Sequence, residues 1–109
     1  MSEDILQAKI YKWYHNTYCT KNNNPRHCIF SVPNGGLRSP REAVKLKATG
    51  LVAGVSDLIV LQPNRIIFVE VKFGKGRQQA NQVDFENKVK ALGFEYYLVR
   101  SLDEFKQII

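Results

Sequence analysis

The sequence predicts one α/β domain, a small mixed β-sheet flanked by helices in the order α-β-α-β-β-α-β-α. Three observations predict it. Apolar residues recur at helical spacing in some stretches and at alternate positions in others. The two kinds of stretch interleave, as they do where helices cover a sheet. The chain has 109 residues, 44% of them hydrophobic, which is enough for one packed core spanning 1–109 and leaves little room for a second.

Each element has a local reason. Residues 3–19 read as a helix, with Ser2 as cap, Glu3 and Asp4 in the first turn where the helix dipole favours acids, and Leu6, Ile10, Trp13 and Thr17 in one stripe. "TKNNNPRH" is a polar, turn-rich loop, "CIFSV" a short strand, and "PNGG" a break. "SPRE" opens a helix, with Ser39 as cap, Pro40 at the first helical position and Glu42 closing a capping box; it runs to about Thr49 and stops at Gly50. After the loop "GLVAGVS" comes a hairpin around "QPNR". "GKGRQ" is a flexible basic loop, 78–92 a helix ending at Gly93, "FEYYLV" a strand, and "SLDE" a second capping box that starts a short helix at Leu102.

Charge points to a partner. Lys and Arg number 16 against 10 Asp and Glu, a net +6. Such a surplus suits a polyanion, although it also serves solubility alone. It is concentrated in "LRSPREAVKLK", where Arg38, Arg41, Lys45 and Lys47 face one acid, Glu42, and in "KFGKGR", with Lys72, Lys75 and Arg77 and no acid. The apolar runs are too short to cross a bilayer and no signal peptide opens the chain, so a soluble, cytoplasmic protein with no membrane partner is expected. Cys19 and Cys28 are too few for a disulfide framework. With His15 and His27 they make a conceivable zinc set, but the spacing matches no compact metal motif, and free cysteines commonly fill cores.

The chemistry lies in "GVSDLIVLQPNRIIFVEVKFGKG". Side chains alternate faces along a strand, so Ile67, Val69 and Val71 share an apolar face, while Ile66, Phe68, Glu70 and Lys72 share the other. If Gln62 to Arg65 form a four-residue loop, Leu61 pairs with Ile66 and Asp57 stands opposite Glu70. Opposed side chains have Cβ atoms about 5 Å apart, and two carboxylates there repel. A hard divalent cation offsets that repulsion, since it binds one or two carboxylates and keeps several waters. Lys72 can then act on such a water or on developing negative charge. A plainer alternative stands beside this: Asp57 closes a turn, and Glu70 and Lys72 are a solvated strand end.

Other residues carry two readings each. Gln82 falls on a helix face with Phe85, Glu86, Val89 and Leu92. An unpaired buried polar group costs about 1–3 kcal/mol, so Gln82 needs a partner: the acids, Lys72 or a backbone group. Glu3 shares a helix face with Gln7, or merely complements the dipole. Gly35 and Gly36 make a turn, or let backbone amides and Arg38 approach a phosphate.

"SD" opening one strand and "EVK" ending the next resemble the PD-(D/E)xK nucleases. The fuller resemblance is to their VRR-NUC branch, through "SEDILQ", "PNGGLRS", "GLVAGVSDLIV", "FVEVKFGKG", the Gln82 that follows and "ALGFEYYLVRS". It covers nearly the whole chain; Ser56 departs from it, standing where the family name expects proline. The resemblance implies a restriction-endonuclease-like core and a Mg²⁺-dependent DNA endonuclease, with Mn²⁺ able to substitute. By resemblance Asp57, Glu70 and the backbone carbonyl of Val71 hold the metal, Lys72 acts on the attacking water, and Glu3 and Gln82 complete the site. Asn34, Gly35, Gly36, Arg38, Arg41, Lys45, Lys47, Lys75 and Arg77 are expected to guide the DNA backbone. The rival readings are a non-catalytic DNA-binding module that keeps the fold, and a structural adaptor. No base-reading motif is present, which favours recognition of shape. One site cuts one strand, so a two-fold homodimer of a stand-alone, virus- or phage-type member is expected, acting on branched DNA such as four-way junctions. The surplus aromatics Tyr11, Trp13, Tyr14 and Tyr18 are its candidate contact.

Overall fold

The hairpin organises the sheet. A computed structural model describes residues 2–20, 26–33 and 39–109. Its elements are α1 (Glu3–Tyr14), extended by a π-helical turn (His15–Thr20), β1 (Cys28–Ser31), α2 (Pro40–Ala48), β2 (Leu58–Gln62), β3 (Arg65–Val71), α3 (Ala80–Ala91), β4 (Glu95–Val99) and α4 (Leu102–Ile108). The strands lie in chain order, β1 to β4. β1–β2 and β2–β3 are antiparallel, and β3–β4 is parallel, with α3 as the crossover.

The expected register is present with a tighter turn. Leu61 pairs with Ile66, and Gln62 pairs with Arg65, so the loop is Pro63–Asn64 and not four residues. Asn64 takes φ +59°, a left-handed conformation that asparagine tolerates better than most side chains. The Ser2, Ser39 and Ser101 hydroxyls accept the amide hydrogen bonds of Ile5, Glu42 and Glu104. α3 starts at Ala80, two residues later than 78. Gln78 is diverted to donate to Glu86 Oε1 (3.0 Å) and the Tyr96 hydroxyl (3.1 Å).

One sheet face carries the main core. Leu6, Ile10 and Tyr14 of α1 pack with Leu58, Val60, Ile67, Val69, Val71 and Phe105. On the other face Phe85 of α3 meets Phe68 edge-on, centroids 5.6 Å apart. Leu92, the C-cap of α3, does not join that face; it is 73% exposed. Among the described residues α2 comes within contact distance of no other helix or strand, and none of its side chains is buried.

The aromatics of the first helix are largely used inside the chain, which corrects the expected dimer contact. Tyr14 is fully buried and its hydroxyl accepts from Gln62 Nε2 (3.3 Å). Trp13 packs edge-on against Phe105 and Tyr18, under Lys106 Nζ. Tyr18 stacks on His27, which leaves Tyr11, at 40% exposure, as the outward-facing member of the four. The conceivable zinc set does not assemble: Cys19 Sγ donates to the His27 carbonyl, Cys28 is exposed, and no three His, Cys, Asp or Glu side chains converge among the described residues.

Candidate active site

Where β2 and β3 run past their last paired residues, the hairpin register carries on to Asp57 and Glu70. Asp57 is fixed from both sides. Its Oδ2 accepts the Val71 amide at 2.8 Å, and its backbone carbonyl accepts the Val32 amide at 3.1 Å. One carboxylate oxygen thus substitutes for a ladder partner, which leaves the second for other work. The buried Ser56 hydroxyl donates to the Leu58 carbonyl (3.3 Å), so a serine at this position is satisfied locally.

Glu70 is the unusual group. It is 1% exposed, and buried carboxylates are rare unless paired. Gln82 Nε2 donates to its Oε1 at 3.2 Å, while its buried Oε2 meets no donor among the described residues. Burial pushes its pKa up to about 8, the neighbouring Asp57 carboxyl adds to the rise, and Lys72 opposes it. An apolar side chain of that volume would pack there at no such cost.

Lys72 is also buried. Its Nζ lies 4.0 Å from Glu70 Oε1 and 3.9 Å from Glu3 Oε1, ion-pair distances too long for hydrogen bonds. Glu3 is half exposed, so α1 contributes an acid at the rim of the site while its neighbour Asp4 lines a separate groove with Gln7 and Tyr11. Gln82 serves two masters: its Oε1 accepts the Gln79 amide at 2.7 Å, capping α3, while its Nε2 holds Glu70.

A cleft of about 270 Å³ reaches this group at Asp57 and Gln82, its other walls being Val32, Gly54, Val55, Gln79 and Asn81. Gly54, at φ +86°, is what lets its two walls meet: a Cβ there would collide with the Asn81 carbonyl and reach 2.8 Å from the Gln82 amide. Sequence reasoning missed this glycine, although a Gly just before "VSD" was a signal.

The remaining expected residues are placed as follows. Lys75 and Arg77 are exposed on the loop after Lys72, and Arg41, Lys45 and Lys47 are exposed on α2. Asn34, Gly35, Gly36 and Arg38 lie outside the described residues. The buried Glu70 carboxyl and the half-buried Asp57 carboxylate beside it suit a hard divalent cation. Because no third acidic or imidazole side chain converges among the described residues, its other ligands would be water and backbone carbonyl, the set that Mg²⁺ prefers.

Comparison with known proteins follows the same line. Residues 1–103 match the sequence profile of a family described as the VRR-NUC domain. Among solved structures, a "VRR_NUC domain protein" superposes with a TM-score of 0.76 at 19% identity, covering 99% of this chain and 84% of that one. No curated protein matches the sequence.

Proposed function

The chain belongs to the VRR-NUC domain family, and from that premise we propose that it is a metal-dependent endonuclease hydrolysing DNA phosphodiester bonds. The family makes this a nuclease-type DNA-processing domain. The observation that supports the metal and the chemistry is Glu70, buried beside Asp57 with an oxygen that no donor among the described residues serves.

In this reading Asp57, Glu70 and the Val71 carbonyl hold the cation. The chemistry supplied by Mg²⁺, or by Mn²⁺ in its place, is polarisation of the scissile phosphate and acidification of a water. Asp57 is held in place by the Val71 amide, and Glu70 is turned by Gln82, so neither has to reorganise when a phosphate arrives. Lys72, kept between Glu3 and Glu70, steadies the attacking water and offsets charge gathering on the phosphoryl oxygens. Lys75, Arg77, Arg41, Lys45 and Lys47 take flanking phosphates, as do Asn34, Gly35, Gly36 and Arg38.

The proposed substrate is branched DNA. Contacts of this kind read backbone and shape, and one site breaks one strand. Two copies about a two-fold axis would make the paired nicks that a four-way junction needs. The test is a panel of linear, flap, forked and four-way DNA with Mg²⁺ and with EDTA, beside Asp57→Asn and sedimentation at low micromolar concentration. Cleavage that needs Mg²⁺ and is lost in Asp57→Asn is expected, with four-way DNA preferred and a dimer mass. Cleavage in EDTA would overturn the metal reading. A monomer that cuts linear and four-way DNA equally would overturn the branched-DNA and dimer reading.

A further inference from the structure

Arg100 stands just past the end of β4 and is none of the candidate site residues named above. Its guanidinium spans the loop that follows Lys72: Nη1 donates to the Gly74 carbonyl at 2.9 Å and to the Gly76 carbonyl at 2.7 Å. Its own backbone is pinned in turn, because the Arg100 amide donates to Glu104 Oε1 at 2.9 Å in the first turn of α4. A surface arginine normally spends its donors on solvent or on an acid. This one places a single nitrogen between two carbonyls of one tight turn.

The turn it grips lies over the site. The Gly76 amide donates back to the Phe73 carbonyl at 3.1 Å, and Gly74 takes φ +62°, so the segment is a closed reversal that opens in a left-handed residue. Gly76 faces two functional side chains. A Cβ built on it would lie 3.8 Å from Lys72 Cδ and 3.9 Å from Glu3 Oε2. Lys72 is almost wholly buried although its side chain ends in a charge, and Gly76 stands one side-chain layer from its Cδ. Lys75 and Arg77 leave the same turn to either side of Gly76.

We infer that Arg100 is a positioning residue of this site: by bridging the Gly74 and Gly76 carbonyls it holds the turn that confines Lys72 and Glu3. The inference rests on the nuclease reading for its catalytic consequence, but not for its structural one. Arg100 acts through the loop and not on the phosphate. A loosened turn lets Lys72 swing into solvent, where a long flexible ammonium side chain regains its rotamer freedom and no longer meets the attacking water in one geometry.

The experiment compares wild type with Arg100→Ala, Arg100→Lys and Arg100→Gln, the last of which keeps a donor without the charge. Three quantities are read: exchange of the Gly76 amide, the NMR shift of the Lys72 ε-methylene, and Mg²⁺-supported cleavage of DNA, split into kcat and KM over a salt series. In Arg100→Ala, Gly76 exchange is expected to rise at least tenfold, the Lys72 signal to move towards that of free lysine, and kcat to fall about tenfold. KM and its salt slope should hold. Arg100→Lys and Arg100→Gln should each restore part of all three. An unchanged Gly76 exchange and Lys72 shift in Arg100→Ala would overturn the inference. So would a loss of affinity with a lower salt slope at constant kcat, which would make Arg100 a phosphate contact. If wild type itself fails to cut, the nuclease reading falls, and the two NMR readouts still decide whether Arg100 confines Lys72.

Discussion

Replacing Glu70 with glutamine should make the protein more stable and inactive. In the folded chain the Glu70 carboxyl has a pKa near 8 against an ordinary 4.5, chiefly because it is buried and secondarily because Asp57 adjoins it. An acid whose folded pKa lies above its unfolded one is at no disadvantage below pH 4.5. Stability is then lost as pH rises towards 8, since the unfolded chain releases the proton first. At about 1.4 kcal/mol per pH unit, the penalty at pH 7 is on the order of 3 kcal/mol. Gln removes it at nearly constant volume and keeps an oxygen for Gln82 Nε2. For a domain of this size that is roughly 15 °C in Tm. The assay is thermal unfolding of wild type and Glu70→Gln in EDTA from pH 4.5 to 9. The two curves should lie close at pH 4.5 and diverge to a plateau above pH 8. Mg²⁺ should raise the Tm of wild type alone, by an amount that grows with its concentration. Equal Tm at every pH would refute the burial of an ionisable group against Asp57. A matching rise with Mg²⁺ in the glutamine variant would refute Glu70 as a ligand.

Lys72→Ala should bind DNA with near wild-type affinity and cut it at least a hundredfold more slowly; gel shifts beside single-turnover cleavage measure both, and a loss confined to affinity would reduce Lys72 to a phosphate contact. Joint substitution of Arg41, Lys45 and Lys47 by Ala should lower the slope of log affinity against log salt by about 2.7, if each meets one phosphate, with the cleavage rate of bound DNA unchanged. Gly54→Ala should cost about 1–3 kcal/mol in denaturant melts from its forced left-handed backbone, and lower kcat by pushing Asn81 and Gln82 away from Asp57 and Glu70. Wild-type melting and turnover in that variant would show that the two walls can part freely.

Local chemistry was legible where it decides itself. The serine caps, the left-handed stop at Gly50 and the alternation in β3 follow from steric and hydrogen-bonding rules within a few residues. The Leu61–Ile66 register was reached even with the wrong loop length, because extending the pairing through Gln62 and Arg65 leaves every other partner unchanged. Gln82 was singled out by an amide on an apolar face, and Glu70 is indeed its partner. The fate of the aromatics was not legible. Whether Trp13 and Tyr18 meet solvent or Phe105 and His27 depends on where α4 and the segment before β1 dock, and these are contacts between distant parts of the chain. Arg100 escaped for the same reason: its partners are backbone carbonyls some two dozen residues earlier, and carbonyls carry no sequence signature.

The isolation of α2 has a thermodynamic consequence. Nine residues are too few to hold a helix in water on propensity alone, and among the described residues only Ala43 and Leu46 of it are even half-buried. Its opening free energy should therefore lie near zero while the sheet opens only with global unfolding, so the amides of 43–49 should exchange quickly in a protein whose β3 amides are fully protected. Any polyanion gripped by Arg41, Lys45 and Lys47 must then supply the ordering cost of the helix from its own contact energy. Alanine or helix-favouring substitutions at exposed positions of α2, such as Val44, would tighten binding with no change in global melting, an affinity gain drawn wholly from the unbound state.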